Sequence, residues 1–154
     1  MRPDDRAMLL SIRPQYAEML IAGTKTIELR RTRPGIETGS LVVLYASSPA
    51  CELVATARVT EVHSASADEI WATFGSEAGI GRLEYDAYFE GAPHAVAIRL
   101  DEVERLRTPQ HLSVLRTRID AFRPPQSFRY LTRRQVAALM TGQPRARPRP
   151  RVAQ

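Results

Sequence analysis

The sequence predicts an α+β domain, a small, curled, mostly antiparallel β-barrel flanked by short helices. Three observations lead there. Strand-period and helix-period segments alternate along the chain without any internal repeat. The connections between them are too brief for the long crossovers of a doubly wound parallel sheet. A chain of 154 residues with 44% hydrophobic and 25% charged content can bury one core without metal or disulfide support.

Met8 to Ile12 reads as the first strand. Arg13-Pro14 then opens a helix, since proline suits the first helical position, and Ala17, Leu20 and Ile21 follow at helical spacing before a stop at Gly23. The glycine permits the left-handed turn that carries the chain into Thr24-Lys25-Thr26-Ile27-Glu28-Leu29-Arg30-Arg31. In that strand Ile27 and Leu29 share one face and Glu28 and Arg30 the other, with Lys25 at the entry. A turn-rich gap from Thr32 to Gly39 leads to Leu41 to Ala46, apolar on both faces and so a central strand ended by Ser47-Ser48-Pro49.

From Glu52 to Val62, Leu53, Ala55, Ala57 and Val59 alternate with polar residues, the pattern of a half-buried strand. Ser66 and Glu69 form a capping box for a short helix carrying Ile70, Trp71 and Phe74. Gly75 to Gly81 reads as a loop, and a second short helix places Tyr85, Tyr88 and Phe89 in the core before Gly91. His94 to Val103 is a further strand. Thr108-Pro109 is expected to open a helix with Leu112, Leu115 and Ile119 buried. Phe122 to Leu131, with Pro124 and Pro125, is expected along a sheet edge. Thr132 and Gln135 make a capping box for a last helix with Val136, Leu139 and Met140 on one face. Its start looks like that of a DNA-binding helix-turn-helix, but Pro144 leaves no room for a recognition helix, so it reads as a packing helix. Four or five strands result, with a domain over 7–131, a packing helix over 132–142 and a tail over 143–154.

The net charge of +5 sits largely in that tail. Arg145, Arg147, Arg149 and Arg151 account for four of the 22 basic residues, which leaves 18 against 17 acidic ones. Arg-Pro alternation cannot form a helix and offers nothing to a core, so the tail is expected to be an extended, disordered arm. It serves either as a solubilising tail or as a non-specific, salt-sensitive contact for nucleic acid.

Several chemistries are absent. Gly79-Ile80-Gly81 lacks a third glycine and a preceding strand, so it is not a dinucleotide loop; no P-loop, H-E-x-x-H or G-x-S-x-G occurs. His63, His94 and His111 have no metal-ligand spacing, so no metal and no cofactor is expected. Cys51 alone excludes a disulfide framework within the chain and suggests a reducing compartment. The apolar run Met8 to Ile12 is too short for a signal peptide or membrane span, so no membrane partner is expected and the cytoplasm is the expected location.

What remains is a polar set: Ser11, Arg13, Lys25, Glu28, Arg30, Arg31, Tyr45, Ser47, Ser48, Gln126, Ser127 and Tyr130. Arginines can fork onto a phosphate, Tyr45 or Tyr130 can stack on a base, and Gln126 with Ser127 can read its polar edge. Taken alone, Lys25 and Glu28 are more often a surface ion pair than ligand contacts, and a tyrosine in a central strand such as Tyr45 is more often packed core than a stacking platform. Base catalysis by Lys25 needs a lowered pKa, which a close Glu28 opposes.

The run Leu10-Ser11-Ile12-Arg13-Pro14-Gln15-Tyr16-Ala17, followed by Gly23-x-Lys25-x-x-Glu28-x-Arg30, resembles the ASCH domain of the PUA-like superfamily, whose signature is G-x-K-x-x-E-x-R. Tyr45-Ala46-Ser47-Ser48-Pro49, Gly79-Ile80 leading to Tyr88-Phe89, and Pro124-Pro125-Gln126-Ser127-Phe128-x-Tyr130-Leu131 extend the similarity in order along the chain. The resemblance implies a PUA-like barrel with a cleft lined by the signature residues. It also implies binding of RNA or a nucleotide, a role as a transcription or translation coregulator, or hydrolysis of RNA or of acetylated cytidine, with Lys25 and Glu28 as the catalytic candidates. In the amidohydrolase branch a lysine, a threonine and a later glutamate act; Lys25 matches the lysine, Glu28 stands at the threonine position, and Glu77 is the candidate acid.

Overall fold

The computed structural model describes residues 6–143, so the Arg-Pro tail expectation lies outside the described residues. The elements in order are β1 (Ala7–Ile12), α1 (Pro14–Ala22), β2 (Ile27–Arg30), β3 (Leu41–Ala46), β4 (Glu52–Ala65), α2 (Ala67–Phe74), α3 (Arg82–Phe89), β5 (Ala95–His111), α4 (Leu112–Arg118), β6 (Phe128–Leu131) and α5 (Arg133–Leu139). The six strands form one sheet in the order β2-β5-β4-β3-β1-β6. Only β1 and β3 pair in parallel, and the other four ladders are antiparallel. The sheet curls into a half-barrel with β2 and β6 as its edges.

β1 shows why the run Met8 to Ile12 is continuously apolar. Met8, Leu10 and Ile12 pack into one core with α1, β3, β4 and β5. Ala7 and Leu9 face a second core closed by Leu115, Phe122 and Leu139. Both faces of the strand are therefore buried, as for a parallel central strand. A third cluster sets Ile27 and Leu29 of β2 against Ile70, Phe74, Tyr85 and Phe89 of α2 and α3. This leaves Glu28 and Arg30 on the opposite face of β2, the side that looks toward the end of β1.

Three expectations are corrected. The sheet has six strands rather than four or five, the sixth being the short edge β6. β5 does not stop at Val103 but runs through Thr108-Pro109 to His111, because its ladder with β4 continues to the pair Glu52 and His111. Register shifts in that ladder accommodate a proline, which cannot donate to it. The following helix is capped instead by His111, whose Nδ1 accepts from the Ser113 N–H at 3.1 Å. Finally, Tyr88 is not core: it is 37% exposed, while Tyr85 and Phe89 are buried.

Candidate functional site

The loop after α1 delivers the central lysine. Gly23 takes φ 81°, and behind it the Thr24 and Lys25 N–H groups both donate to Met19 O, at 3.0 and 3.2 Å. The chain turns sharply and drops Lys25 beneath the segment joining α2 to α3. There Lys25 is only 3% exposed, its Nζ donates to Ala78 O at 2.5 Å, and it lies 4.0 Å from Glu28 Oε2. The Tyr16 ring covers it at 5.2 Å. Burial pulls the Lys25 pKa below its ordinary value; Glu28 pushes back and Arg30 adds to the lowering.

Glu28 and Arg30 fill the rest of the floor. Glu28 Oε1 accepts from the Leu29 N–H at 3.2 Å and from Arg30 Nη1 at 3.0 Å. Arg30 Nη2 donates to Ser11 O at 2.7 Å, tying the β2 edge to β1 across the open side of the half-barrel. The Lys25–Glu28 pair, for which a surface ion pair is the alternative reading of the sequence, is buried, where desolvation rather than screening decides its energetics. Glu28 Oε2, Arg30 Nε and Ser11 Oγ have no hydrogen-bond partner; they are three of the four buried side-chain polar atoms so placed among the described residues. A buried polar atom without a hydrogen bond costs roughly 1–3 kcal/mol, and three of them sit together on this floor.

These groups underlie an open cleft of about 710 Å³, within the size range of small-molecule sites. It gathers Ser11, Arg13, Lys25, Glu28, Arg30, Ser47, Gln126 and Ser127 from the expected set. Ser127 is held to the end of β1 by the Ser11 N–H, which donates to Ser127 O at 2.9 Å. The other four do not join them. Arg31 lies behind the α3 wall with Nη1 3.5 Å from Tyr88 O, and Ser48 is exposed on the turn beyond Ser47. Tyr130 accepts from the Gly35 N–H at 2.6 Å, under the Arg6 guanidinium. Tyr45 is buried in the second core, where burial and the neighbouring Cys51 thiol push its pKa up to about 12.

Glu77 does not line the cleft either. It accepts from Thr26 Oγ1 at 3.0 Å and pairs with Arg99 at 2.7 Å, and these contacts hold its carboxyl below the usual range. The cleft also holds Tyr16, Ile80, Glu84 and Tyr88, none of them among the expected binding residues, although the family resemblance runs through Tyr16, Ile80 and Tyr88. Tyr16 OH donates to Glu84 Oε2 at 3.2 Å, linking α1 to α3, and burial followed by the Glu84 charge raises its pKa. One signal for the site lay in the composition: Lys25 is the only lysine in a chain that uses arginine at every other basic position.

The comparisons with known proteins identify the family and the fold that carry this cleft. The ASCH domain profile matches residues 10–104. An ASCH domain-containing ribonuclease of Zymomonas mobilis is 28% identical over 139 residues, 90% of this chain and 93% of that protein. The crystal structure of a Zymomonas mobilis ASCH protein, solved as a serine-to-alanine variant, superposes with a TM-score of 0.86 at 26% identity, covering 93% of this chain and 100% of the other. Large ribosomal subunit protein uL22 of Ureaplasma parvum is 27% identical over 80% of this chain, which spans 39% of that protein. With the signature residues on one cleft floor, the half-barrel around them and the profile spanning more than half its length, the chain belongs to the ASCH domain family.

Proposed function

We propose that the protein binds RNA in the cleft above Lys25, Glu28 and Arg30 and cleaves it as a ribonuclease. The observation that carries this reading is the buried lysine beside a carboxylate oxygen that accepts no hydrogen bond from the protein. Cleavage of RNA without an added nucleophile needs an acceptor for the 2′-hydroxyl proton and a donor for the departing 5′-oxygen. Glu28 Oε2, which accepts no hydrogen bond within the protein and has Lys25 Nζ at 4.0 Å, supplies the acceptor. Lys25, its pKa lowered by burial, gives up a proton more readily than an ordinary lysine and is the donor in this reading. The opposition expected between Glu28 and a lysine base thus disappears, because the amine acts as the acid.

The ribonuclease name of the Zymomonas mobilis relative supports the same class of substrate. Binding without turnover would suit a transcription or translation coregulator in the cytoplasm, and no helix among the described residues is long and apolar enough to cross a membrane. The test is incubation of the full chain with a single-stranded RNA 12-mer. Wild type is expected to cut it and Lys25→Met to lose roughly 10²-fold or more, the scale of one proton-transfer group. Saturable binding without product would overturn the enzyme reading, and turnover of acetylated cytidine in place of RNA would reassign the substrate to a nucleoside.

A further inference from the structure

The two segments that border the cleft, one as the α3 lip and the other through Pro125, Gln126 and Ser127, differ in charge. Residues 66–91, which supply the α3 wall, contain six acids and one arginine, Arg82. That arginine is taken up by Asp68 at 2.8 Å and Asp86 at 2.9 Å. Residues 112–143 contain six arginines and one acid, Asp120. Pro125, Gln126 and Ser127 of this second segment line the cleft, and Arg123 and Arg129 stand two residues to either side of them. Arg123 and Arg134 are exposed, and the Arg129 guanidinium lies 5.9 Å from the Phe122 ring. At physiological salt the screening length is about 8 Å, so a phosphate senses the segment it touches rather than the net charge of the molecule.

We propose that an RNA strand leaving the cleft past Pro125, Gln126 and Ser127 runs its phosphate backbone along Arg123, Arg129 and Arg134, and that its bases within the cleft turn toward the α3 wall. The proposal rests on the reading of the cleft as an RNA site and adds the direction of the strand. Phosphates on the α3 side would meet Glu84, Asp86 and Glu90. Bases on that side meet Tyr88 and Ile80, which line the same cleft, and stacking on an aromatic face tolerates any base.

The test is anisotropy of a labelled single-stranded RNA 12-mer titrated with the full chain between 50 and 200 mM salt. In Arg123→Gln/Arg129→Gln/Arg134→Gln the slope of log K against log salt is expected to shrink by about 2, three lost phosphate contacts at roughly 0.7 each. The exposed pair Arg123→Gln/Arg134→Gln is expected to give about two thirds of this and carries the test should Arg129 prove needed for folding. Glu104→Gln, at an exposed position of β5 outside both segments, should leave the slope unchanged. Uridine 3′-monophosphate, confined to the cleft, should bind the arginine variants as it binds wild type. An unchanged slope in the arginine variants, or an equal loss of mononucleotide binding, overturns the track. A reduced slope in a protein that cuts no RNA supports the track while the ribonuclease reading falls, so the two fail separately.

Discussion

Lys25 meets three influences that can be separated by substitution, because each has a sign. Burial lowers its pKa, the Glu28 carboxylate raises it and the Arg30 guanidinium lowers it. As the chain's only lysine, Lys25 gives one side-chain signal in protein made with ¹³C-lysine, so its titration can be followed directly. The midpoint is expected below the ordinary lysine value; Glu28→Gln should move it lower still and Arg30→Gln should move it up. A Glu28→Gln shift in the opposite direction would mean that the carboxylate does not act on the amine. The same sign governs the reaction: with Lys25 as proton donor, cleavage falls on the alkaline side as pH rises through the lowered value.

At the scale of elements, the segment between α2 and α3 acts as the back wall of the lysine. The Thr26 N–H donates to Glu77 O at 3.0 Å, and Ala78 O takes the Lys25 ammonium. Gly79 permits this approach. It has φ +67°, and a Cβ there would sit 2.6 Å from Met19 Cε and 3.3 Å from Lys25 Cβ. Gly79→Ala is expected to cost roughly 1–3 kcal/mol, read as a fall of several degrees in Tm; an unchanged Tm would show that the wall gives way. Much of this level was legible in the sequence. Local chemistry such as the Arg13-Pro14 start, the Gly23 stop and the Thr132 capping box determines α1 and α5. What was hidden depends on distant partners. Thr108-Pro109 reads locally as a helix start, and only its ladder with β4 keeps it extended. Tyr45 and Ser11 occupy paired positions of β3 and β1, yet one joins a core and the other the cleft, because Tyr45 is packed with the second core cluster while Ser11 reaches the open end.

At the scale of the whole molecule, the half-barrel gathers a site from segments more than a hundred residues apart, and Arg30 bonded to Ser11 O spans its open side. Signature residues could be picked from the sequence, but their convergence could not, since it depends on the order β2-β5-β4-β3-β1-β6. The four arginines after Gln143 belong to this scale as well. A chain ended at Gln143 is expected to bind the RNA 12-mer more weakly, with a salt slope smaller by up to about 3; an unchanged slope would leave those arginines a solubilising role. The most direct test of the account uses the single ¹³C-lysine signal during titration with the same RNA 12-mer at low salt. A saturable shift of the Lys25 signal, with the midpoint found by anisotropy, is the predicted result; RNA that binds while the signal stays fixed would place the RNA somewhere other than this cleft.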